Sequence, residues 1–572
     1  MTRPIRLAIF ALLLAIAVVV AAIPTLLPPP AMSTPTAPWR SEAPTVRGAY
    51  HVHSVASDGT GAIGDIAAAA ASAGLQFVIL TDHGDGTRAV DPPRYVAGVL
   101  CIEAVELNTG GGHLAVLGAR RSPYPLAGTP RAVLEDIHRL GGMGIAAHPG
   151  SPRASLQWTD WTVPIDGLEW LNADSEWRDE FLAAIGRHLL TYALRPRETL
   201  TATLDRPDAV LDRWDELTAT RRVVGLAGAD AHARLGFRQQ TEPYEEGWHL
   251  KVPSYEASFE AFGLRVELPG GLSGDARRDA DNLLTHIRLG RLYSVVDGLA
   301  GPGAFEFTAS SGDRKSGMGG YLDIRGEVVL HARMAAPDGA RLMILRGGRI
   351  FFDTQDREVH LGVPAEPAVY RVEIAVPGGA GQPPIPWLIS NPIYVGMRDP
   401  HQAAQRPRPE AATRRRTSIA TEAWGAEASP GSVSAPRPGS TTGTQAAVEW
   451  SYQLAGGSPA GQYAAVRFPV DGLVGHDRLQ LRARASRPMR VWVQVRASRV
   501  GSGERWGQSV YLDEDDRSLD VKFDELDPLG PTSAPRPPLG DVDVVLLVVD
   551  TVNTAPGSGG AIQLIEIWLA AP

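Results

Sequence analysis

Between residues 47 and 237, short apolar strand patterns alternate with helix patterns, and this alternation narrows the choice of fold sharply. The strand patterns lie at residues 48–53, 77–80, 96–106, 113–118, 144–147, 167–170 and 223–227. The clearest helix patterns lie at residues 63–73 and 130–140. Repeated βα units imply a parallel sheet, and a series of this length favours an α/β fold in which the sheet closes into a barrel.

Short phrases of histidine and acidic residues stand at or just after the ends of these strand patterns. They contain His51, His53, Asp58, Asp82, His83, Glu103, Glu106, His113, His148, Asp230 and His232. Barrels of this kind place their active sites at the carboxyl ends of the strands, and residues two apart in a strand share a face. Imidazole and carboxylate are the ligands that borderline divalent metals prefer, and one catalytic zinc needs only about three of them. The sequence therefore predicts a hydrolase with a cluster of two or three metal ions.

Taken in order, these phrases resemble the polymerase and histidinol phosphatase (PHP) superfamily of metal-dependent phosphoesterases over about residues 46–240. The resemblance implies a distorted (β/α)7 TIM-like barrel that holds up to three metal ions. It implies three ligand sets, with Glu106 shared between the first and the third. The sets are His51, His53, Glu106 and Asp230; Asp58, His83 and His232; and Glu106, His113 and His148.

Two acidic residues near these phrases receive other interpretations. Glu103 competes with Glu106 for the same role, but its spacing places it on the other side of the strand. Asp82 is predicted to act in catalysis by orienting His83 or a metal-bound water from outside the ligand set.

The residue types limit the metal and the reaction. Six histidines with few carboxylates suit zinc, iron or manganese, whereas magnesium alone is disfavoured because it prefers oxygen ligands. Two neighbouring ions can share a hydroxide at neutral pH and stabilise the charge on a phosphoryl group. Arg153, shortly after His148, is the candidate phosphate clamp through its bidentate guanidinium; the alternative is an ordinary surface arginine.

The rest of the chain predicts two β domains. Residues 46–300 are assigned to the metal-dependent barrel, and residues 301–398 show strand and turn spacing typical of an immunoglobulin-like β-sandwich. Residues 399–445 predict a flexible linker, and residues 446–572 resemble a galactose-binding-like jelly-roll sandwich. Trp492, Trp506 and Tyr511 are candidates for stacking on a sugar ring, with core packing as the alternative.

The first residues have the pattern of an export signal. A basic segment, residues 1–6, precedes an unbroken apolar run at residues 7–23, so residues 1–30 predict a signal peptide or a membrane anchor spanning residues 7–27. Residues 31–45 predict a tether. The expected location is extracytoplasmic, periplasmic or secreted. Cys101 is the only cysteine, so internal disulfides are excluded, and its apolar neighbours predict a buried strand residue.

Three functional hypotheses follow. The net charge of −9 does not favour diffuse nucleic-acid binding, which needs clustered basic residues. The first hypothesis is a phosphomonoesterase or phosphodiesterase that uses a hydroxide bridging two metals in a di- or trinuclear site. The second is a metal-dependent amide or ester hydrolase, because the same hydroxide attacks carbonyl groups. The third is a non-catalytic surface protein that binds glycans and has a metal-stabilised barrel.

Overall fold

The chain folds into two compact units. The computed structural model describes residues 27–37, 39, 43–179, 188, 190–236, 249–301, 303–398, 415–419, 423–442, 445–458, 460–498 and 503–571. The first unit comprises residues 1–84, 90–119 and 137–405, and the second comprises residues 85–89, 120–136 and 406–572. The predicted signal peptide or anchor lies outside the described residues except at 27–30. Within the part of the chain that the structure describes, no helix is long and apolar enough to span a membrane.

The amino-terminal half contains the strands that end at the histidine and acidic phrases. Its strands are β1 (Thr45–Val52), β2 (Phe77–Leu80), β3 (His83–Gly84), β4 (Arg94–Val96), β5 (Val99–Glu103), β6 (Val105–Thr109), β7 (Gly112–Leu117), β8 (Met143–Ala146), β9 (Gly167–Asn172), β10 (Val224–Gly228), β11 (Leu235–Gly236), β12 (His249–Leu250), β13 (Gly263–Glu267) and β14 (Leu292–Val295). Its helices are α1 (Ile63–Ser72), α2 (Pro130–Arg139), α3 (Ala173–Asp179), α4 (Pro196–Thr201), α5 (Asp208–Thr218), α6 (Tyr255–Ala261) and α7 (Ala276–Arg288).

The predicted (β/α)7 TIM-like barrel is not confirmed, because these strands divide between two sheets. One sheet has the order β10-β9-β8-β7-β6-β3, and the other includes the path β13-β1-β2-β5-β4. Strand β7 runs antiparallel to both of its neighbours. Backbone hydrogen bonds connect β1 with the end of β10, from Ala229 N to Tyr50 O (2.9 Å) and from His53 N to Ala231 O (3.0 Å). The carboxyl ends of β1 and β10 therefore lie side by side.

The strands of the predicted immunoglobulin-like region belong to the same unit. They are β15 (Phe305–Ser311), β16 (Arg314–Gly317), β17 (Tyr321–Leu322), β18 (Val328–Met334), β19 (Arg341–Arg346), β20 (Arg349–Thr354), β21 (Glu358–Val363), β22 (Ala368–Ala375), β23 (Leu388–Ser390) and β24 (Ile393–Val395). Four of them form the sheet β16-β15-β18-β21, whereas β23 extends the sheet of β1 by pairing with β14. The two sheets enclose a common apolar core, so this region is a sandwich that continues the preceding sheet.

The second unit is a β-sandwich of two sheets. Its strands are β25 (Arg416–Ser418), β26 (Gly425–Ala428), β27 (Val433–Thr442), β28 (Gln445–Gln453), β29 (Tyr463–Pro469), β30 (Arg478–Ala485), β31 (Met489–Ala497), β32 (Glu504–Leu512), β33 (Arg517–Lys522), β34 (Asp527–Pro528), β35 (Val544–Asp550) and β36 (Gly559–Ala570). One sheet has the order β27-β28-β36-β30-β33 with β25 beside β36, and the other has the order β26-β29-β35-β31-β32-β34. All described pairs in both sheets are antiparallel.

Two predicted connecting segments contain regular structure. Strands β25 to β27 lie within the predicted linker at 399–445, because their backbone groups pair with strands of the second unit. Residues 399–414 lie outside the described residues. In the predicted tether, Met32 forms a parallel bridge with Ala300. Cys101 is buried in β5, as predicted.

Candidate metal centre

All nine predicted metal ligands meet in one cluster at the ends of β1, β3, β6, β7, β8 and β10. Their ligand atoms form four overlapping groups, and within each group these atoms lie within 4.8 Å of one another. The groups are His51, His53 and Asp230; His51, Glu106 and His148; His83, Glu106 and His113; and His53, Asp58, His83 and His232.

Three of these residues adopt backbone conformations that are uncommon for residues other than glycine. The φ angles are +64° at His51, +32° at His148 and +44° at Asp230. Residues other than glycine avoid positive φ because the Cβ atom crowds the backbone, and such strain is found preferentially at functional sites. Strands β1, β8 and β10 thus turn at their carboxyl ends, and each turn carries a residue of the cluster.

The Glu106 carboxylate occupies the middle of the cluster. Its Oε1 lies 2.7 Å from His113 Nδ1 and 2.9 Å from His148 Nε2. Its Oε2 lies 3.3 Å from His51 Nε2 and 3.2 Å from His53 Nε2. Burial alone would raise the pKa of Glu106, but the charge of His51 and hydrogen bonds from His113 and His148 hold it well below its ordinary value. Glu106 is therefore an ionised carboxylate whose two oxygens face different imidazoles.

Asp230 closes the buried side of the cluster. Its Oδ1 lies 3.3 Å from His51 Nε2 and 3.4 Å from His53 Nε2, and these two nitrogens are 3.1 Å apart. Burial alone would lower the pKa of His51, but Asp230, Glu169 and Glu106 raise it well above its ordinary value. Two imidazole nitrogens and one carboxylate oxygen this close together suit a shared cation.

Asp58, His83 and His232 form the side of the cluster that is open to solvent. Asp58 Oδ2 lies 3.3 Å from His232 Nε2 and 3.7 Å from His83 Nε2. All three side chains are 19% exposed, whereas His51 and His53 are completely buried. His83 Nδ1 is buried, with no hydrogen-bond partner among the described residues. A buried nitrogen without a partner is costly, so His83 is suited to donate its lone pair to an ion.

The donor set fits the metals that the sequence predicts. Six imidazoles and three carboxylates converge, and this mixture suits zinc, iron or manganese better than an all-oxygen magnesium site. Burial alone would lower the pKa of His232, but its hydrogen bond and charge interaction with Asp58 raise it to about 10. Protons and metal ions therefore compete for the same nitrogen.

Glu169 is part of this centre, and the sequence interpretation missed it. Its Oε1 accepts a hydrogen bond from His51 Nδ1 at 2.5 Å, and its Oε2 accepts bonds from His148 N (2.7 Å) and Asn172 Nδ2 (2.8 Å). The hydrogen bond from His51 Nδ1 to Glu169 fixes the tautomer of His51, so that Nε2 keeps its lone pair free for a metal. The signal in the sequence was a single carboxylate within the apolar strand pattern at 167–170.

Replacing Glu169 is expected to weaken metal binding without removing a ligand. In Glu169→Gln the neutral amide no longer favours the Nδ1–H tautomer of His51, so affinity should fall about 10- to 100-fold. The measurement is a metal titration of the metal-free full chain. Asp166→Asn is the matched control, because Asp166 pairs with the exposed His138 outside the cluster. Equal affinities for both variants would contradict the assigned role of Glu169.

Asp82 holds the loop after β1 instead of contacting His83 or the cluster centre. Its carboxylate accepts hydrogen bonds from Ser54 N (2.8 Å), Ser54 Oγ (2.7 Å) and Ser57 Oγ (2.6 Å). Ser57 Oγ lies 3.3 Å from His53 Nδ1. Asp82 thus orients His53 through Ser57, while its predicted catalytic role stays a prediction.

Glu103 pairs with an arginine, and Arg153 is exposed to solvent. Glu103 binds Arg94 Nη2 at 3.2 Å and belongs to none of the described ligand groups. Arg153 is exposed, and its backbone N donates to Ser151 Oγ at 3.3 Å. The structure instead places Arg234 beside the cluster, with Nη1 3.4 Å from the backbone oxygen of Asp58.

The aromatic residues proposed for sugar stacking are largely enclosed within the second unit. Trp506 is completely buried in the sandwich core, and Trp492 is 7% exposed on the outer face of β31. The segment 120–136 packs on this side of the sandwich. The ring centroids of Tyr124 and Tyr511 are 6.4 Å apart. Asn553 Nδ2 donates hydrogen bonds to the backbone oxygens of Pro125 (2.9 Å) and Ala127 (3.0 Å).

Comparisons with known proteins give low similarities. No protein-family model and no curated protein matches the chain. A two-domain protein of Bacteroides vulgatus that contains a predicted PHP-like metal-dependent phosphoesterase is 12% identical, with 64% of this chain and 99% of that protein covered and a TM-score of 0.30. A family 11 carbohydrate-binding module of Clostridium thermocellum is 14% identical, with 26% and 88% covered and a TM-score of 0.21. With TM-scores this low, the function has to be inferred from the side chains of this chain.

Proposed function

We propose that this protein is a metal-dependent phosphoesterase that hydrolyses a phosphomonoester or a phosphodiester. The observation that supports the proposal is that nine candidate ligand residues, Glu106 among them, lie in four groups that share members. A structural metal site needs about four ligands and is closed, whereas an excess of ligands with an open side suits a catalytic centre with several ions.

Each part of the cluster has a distinct role in this proposal. His51, His53 and Asp230 would hold an ion on the buried side, Asp58, His83 and His232 one on the open side, and His113 and His148 a third together with Glu106. When bound, such ions act as Lewis acids and lower the pKa of water towards about 7. Glu169 and Asp82 keep His51 and His53 in the orientation that ligation requires, through the hydrogen bonds described above.

The open side of the cluster is where a substrate would enter. The partly exposed side chains of Asp58, His83 and His232 border it, and Arg234 lies next to Asp58. A guanidinium at this border would attract an anionic ester and bind its oxygens in a planar, bidentate manner. Arg234 is therefore our proposed phosphate-binding residue, whereas the role predicted for Arg153 stays a prediction.

We also propose that the protein acts outside the cytoplasm. The basic segment at residues 1–6 and the apolar run that follows support export, so the substrate would be a phosphate ester outside the cytoplasm. Burial of Trp492 and Trp506 weakens the alternative that the second unit binds glycans through these aromatic rings.

The test is an assay of the full chain with aryl phosphate monoesters and diesters in the presence of Mn²⁺, Zn²⁺ or Fe²⁺. We expect turnover that depends on added metal and falls in Arg234→Ala mainly through a higher KM. Arg153→Ala tests the clamp predicted from the sequence, and an unchanged KM in this variant is expected when Arg234 binds the phosphoryl group. Absence of turnover with all three metals, while elemental analysis shows metal bound, would exclude the proposal for these ester classes.

A competition experiment separates the two enzyme hypotheses. Vanadate and phosphate resemble the phosphoryl group, whereas a hydroxamate resembles a carbonyl substrate and chelates metal. Cleavage of aryl carboxylic esters or amides that hydroxamate inhibits and vanadate does not would support the carbonyl hydrolase instead.

A further inference from the structure

The outer face of the sheet β16-β15-β18-β21 carries another group of potential metal ligands. His331 on β18 lies directly opposite His360 on β21, and their rings stack with centroids 4.3 Å apart and an interplanar angle of 18°. Glu358 precedes His360 by two residues and shares its face. Its Oε1 lies 3.0 Å from His331 Nε2 and 3.5 Å from His360 Nε2. One ligand atom from each residue lies within 4.8 Å of the others.

The backbone beneath these side chains is well supported. Strands β18 and β21 pair in continuous antiparallel register from Val328 opposite Val363 to Arg333 opposite Glu358. On the opposite face, Leu330 and Val359 are buried in the apolar core. The two imidazoles therefore project from a packed sheet, and binding an ion requires no folding of a loop.

The charges around the group favour a cation. Arg333, opposite Glu358, directs its Nε to Glu306 at 2.7 Å, so its guanidinium is engaged on the neighbouring strand. The Glu358 carboxylate supplies a negative charge next to both imidazoles. The side chains of His331, Glu358 and His360 are 23%, 55% and 66% exposed, so water can reach an ion from the solvent side.

We propose that His331, Glu358 and His360 form a surface binding site for a divalent cation of the zinc, nickel and copper class. Two imidazoles and one carboxylate are the donors that these borderline ions prefer, and three protein ligands leave further positions for water. Affinity should follow the order Cu²⁺ above Ni²⁺ and Zn²⁺, whereas Mg²⁺ should not bind. This site is independent of the cluster around Glu106 and of the function proposed for it.

The test is equilibrium dialysis of the full chain against Zn²⁺ after the cluster around Glu106 has been saturated with metal. His331→Ala and His360→Ala should each bind one Zn²⁺ fewer per chain than the unchanged protein. Because His360 is exposed, its replacement leaves the core untouched, and circular dichroism checks that both variants fold. His138→Ala is the matched control, because His138 pairs with Asp166 as a single exposed imidazole and carboxylate.

The outcomes are distinct. A loss of one Zn²⁺ in both variants, with no loss in His138→Ala and no difference in Mg²⁺, supports the site. The proposed site is overturned if the unchanged protein and all three variants bind equal amounts of Zn²⁺. It is also overturned if His138→Ala loses as much Zn²⁺ as the other two variants.

Discussion

Glu106→Gln is expected to bind at least one metal ion fewer per chain and to lose phosphoesterase activity by at least ~1,000-fold. The substitution keeps the size of the side chain but removes the charge that faces His51, His53, His113 and His148. Without that charge, the position that faces most imidazoles of the cluster offers only a neutral amide, which binds a divalent cation less strongly than a carboxylate does. The measurement combines elemental analysis of the purified chain with the aryl phosphate assay.

Glu103→Gln is the matched control for this prediction. Glu103 precedes Glu106 by three residues but pairs with Arg94 at 3.2 Å, outside the described ligand groups. Its replacement should leave both the metal content and the activity within about twofold of the unchanged protein. If Glu103→Gln had the larger effect, the central position of Glu106 in the metal centre would be contradicted.

The second large effect is expected for stability, in Arg490→Ala of the second unit. Arg490 Nε donates to Asp136 Oδ2 at 2.7 Å and Nη2 to Asp136 Oδ1 at 3.0 Å, and both side chains are almost completely buried. Asp136 also accepts a hydrogen bond from Tyr124 at 2.9 Å. Removing Arg490 leaves the buried Asp136 carboxylate without its oppositely charged partner, which costs about 3–5 kcal/mol. Hydrogen exchange of peptides covering β31 and β32 should accelerate roughly 100- to 5,000-fold under conditions where exchange occurs by opening of this unit.

Two further variants show whether the pair itself is responsible. Arg484→Ala removes an arginine that is 50% exposed, and it should change the free energy of unfolding by about 0.5 kcal/mol or less. Arg490→Ala combined with Asp136→Ala should cost little more than either single change, because the two residues act on each other. Additive costs in the double variant would show that the pair does not stabilise the second unit.

Local sequence patterns predicted the secondary structure near the metal centre well. Short, mostly apolar runs marked β1, β2, β9 and β10, because strands that are buried on both faces are apolar at successive positions. The same patterns did not predict the antiparallel direction of β7, since the order and direction of strands depend on contacts between distant segments. They also predicted a linker where β25 to β27 lie, because edge strands rich in Pro, Ser and Gly lack apolar periodicity.

The sequence by itself determined which residue types are available for metal binding, because imidazoles and carboxylates at strand ends can be read directly from the chain. Tertiary structure decided which of these side chains lie in contact with one another. It also placed Glu169 against His51 and Arg234 beside Asp58. It also buried Trp492 on a face of the second unit that residues 120–136 contact. These relations join residues separated by long stretches of chain, and no local pattern encodes a distance between them.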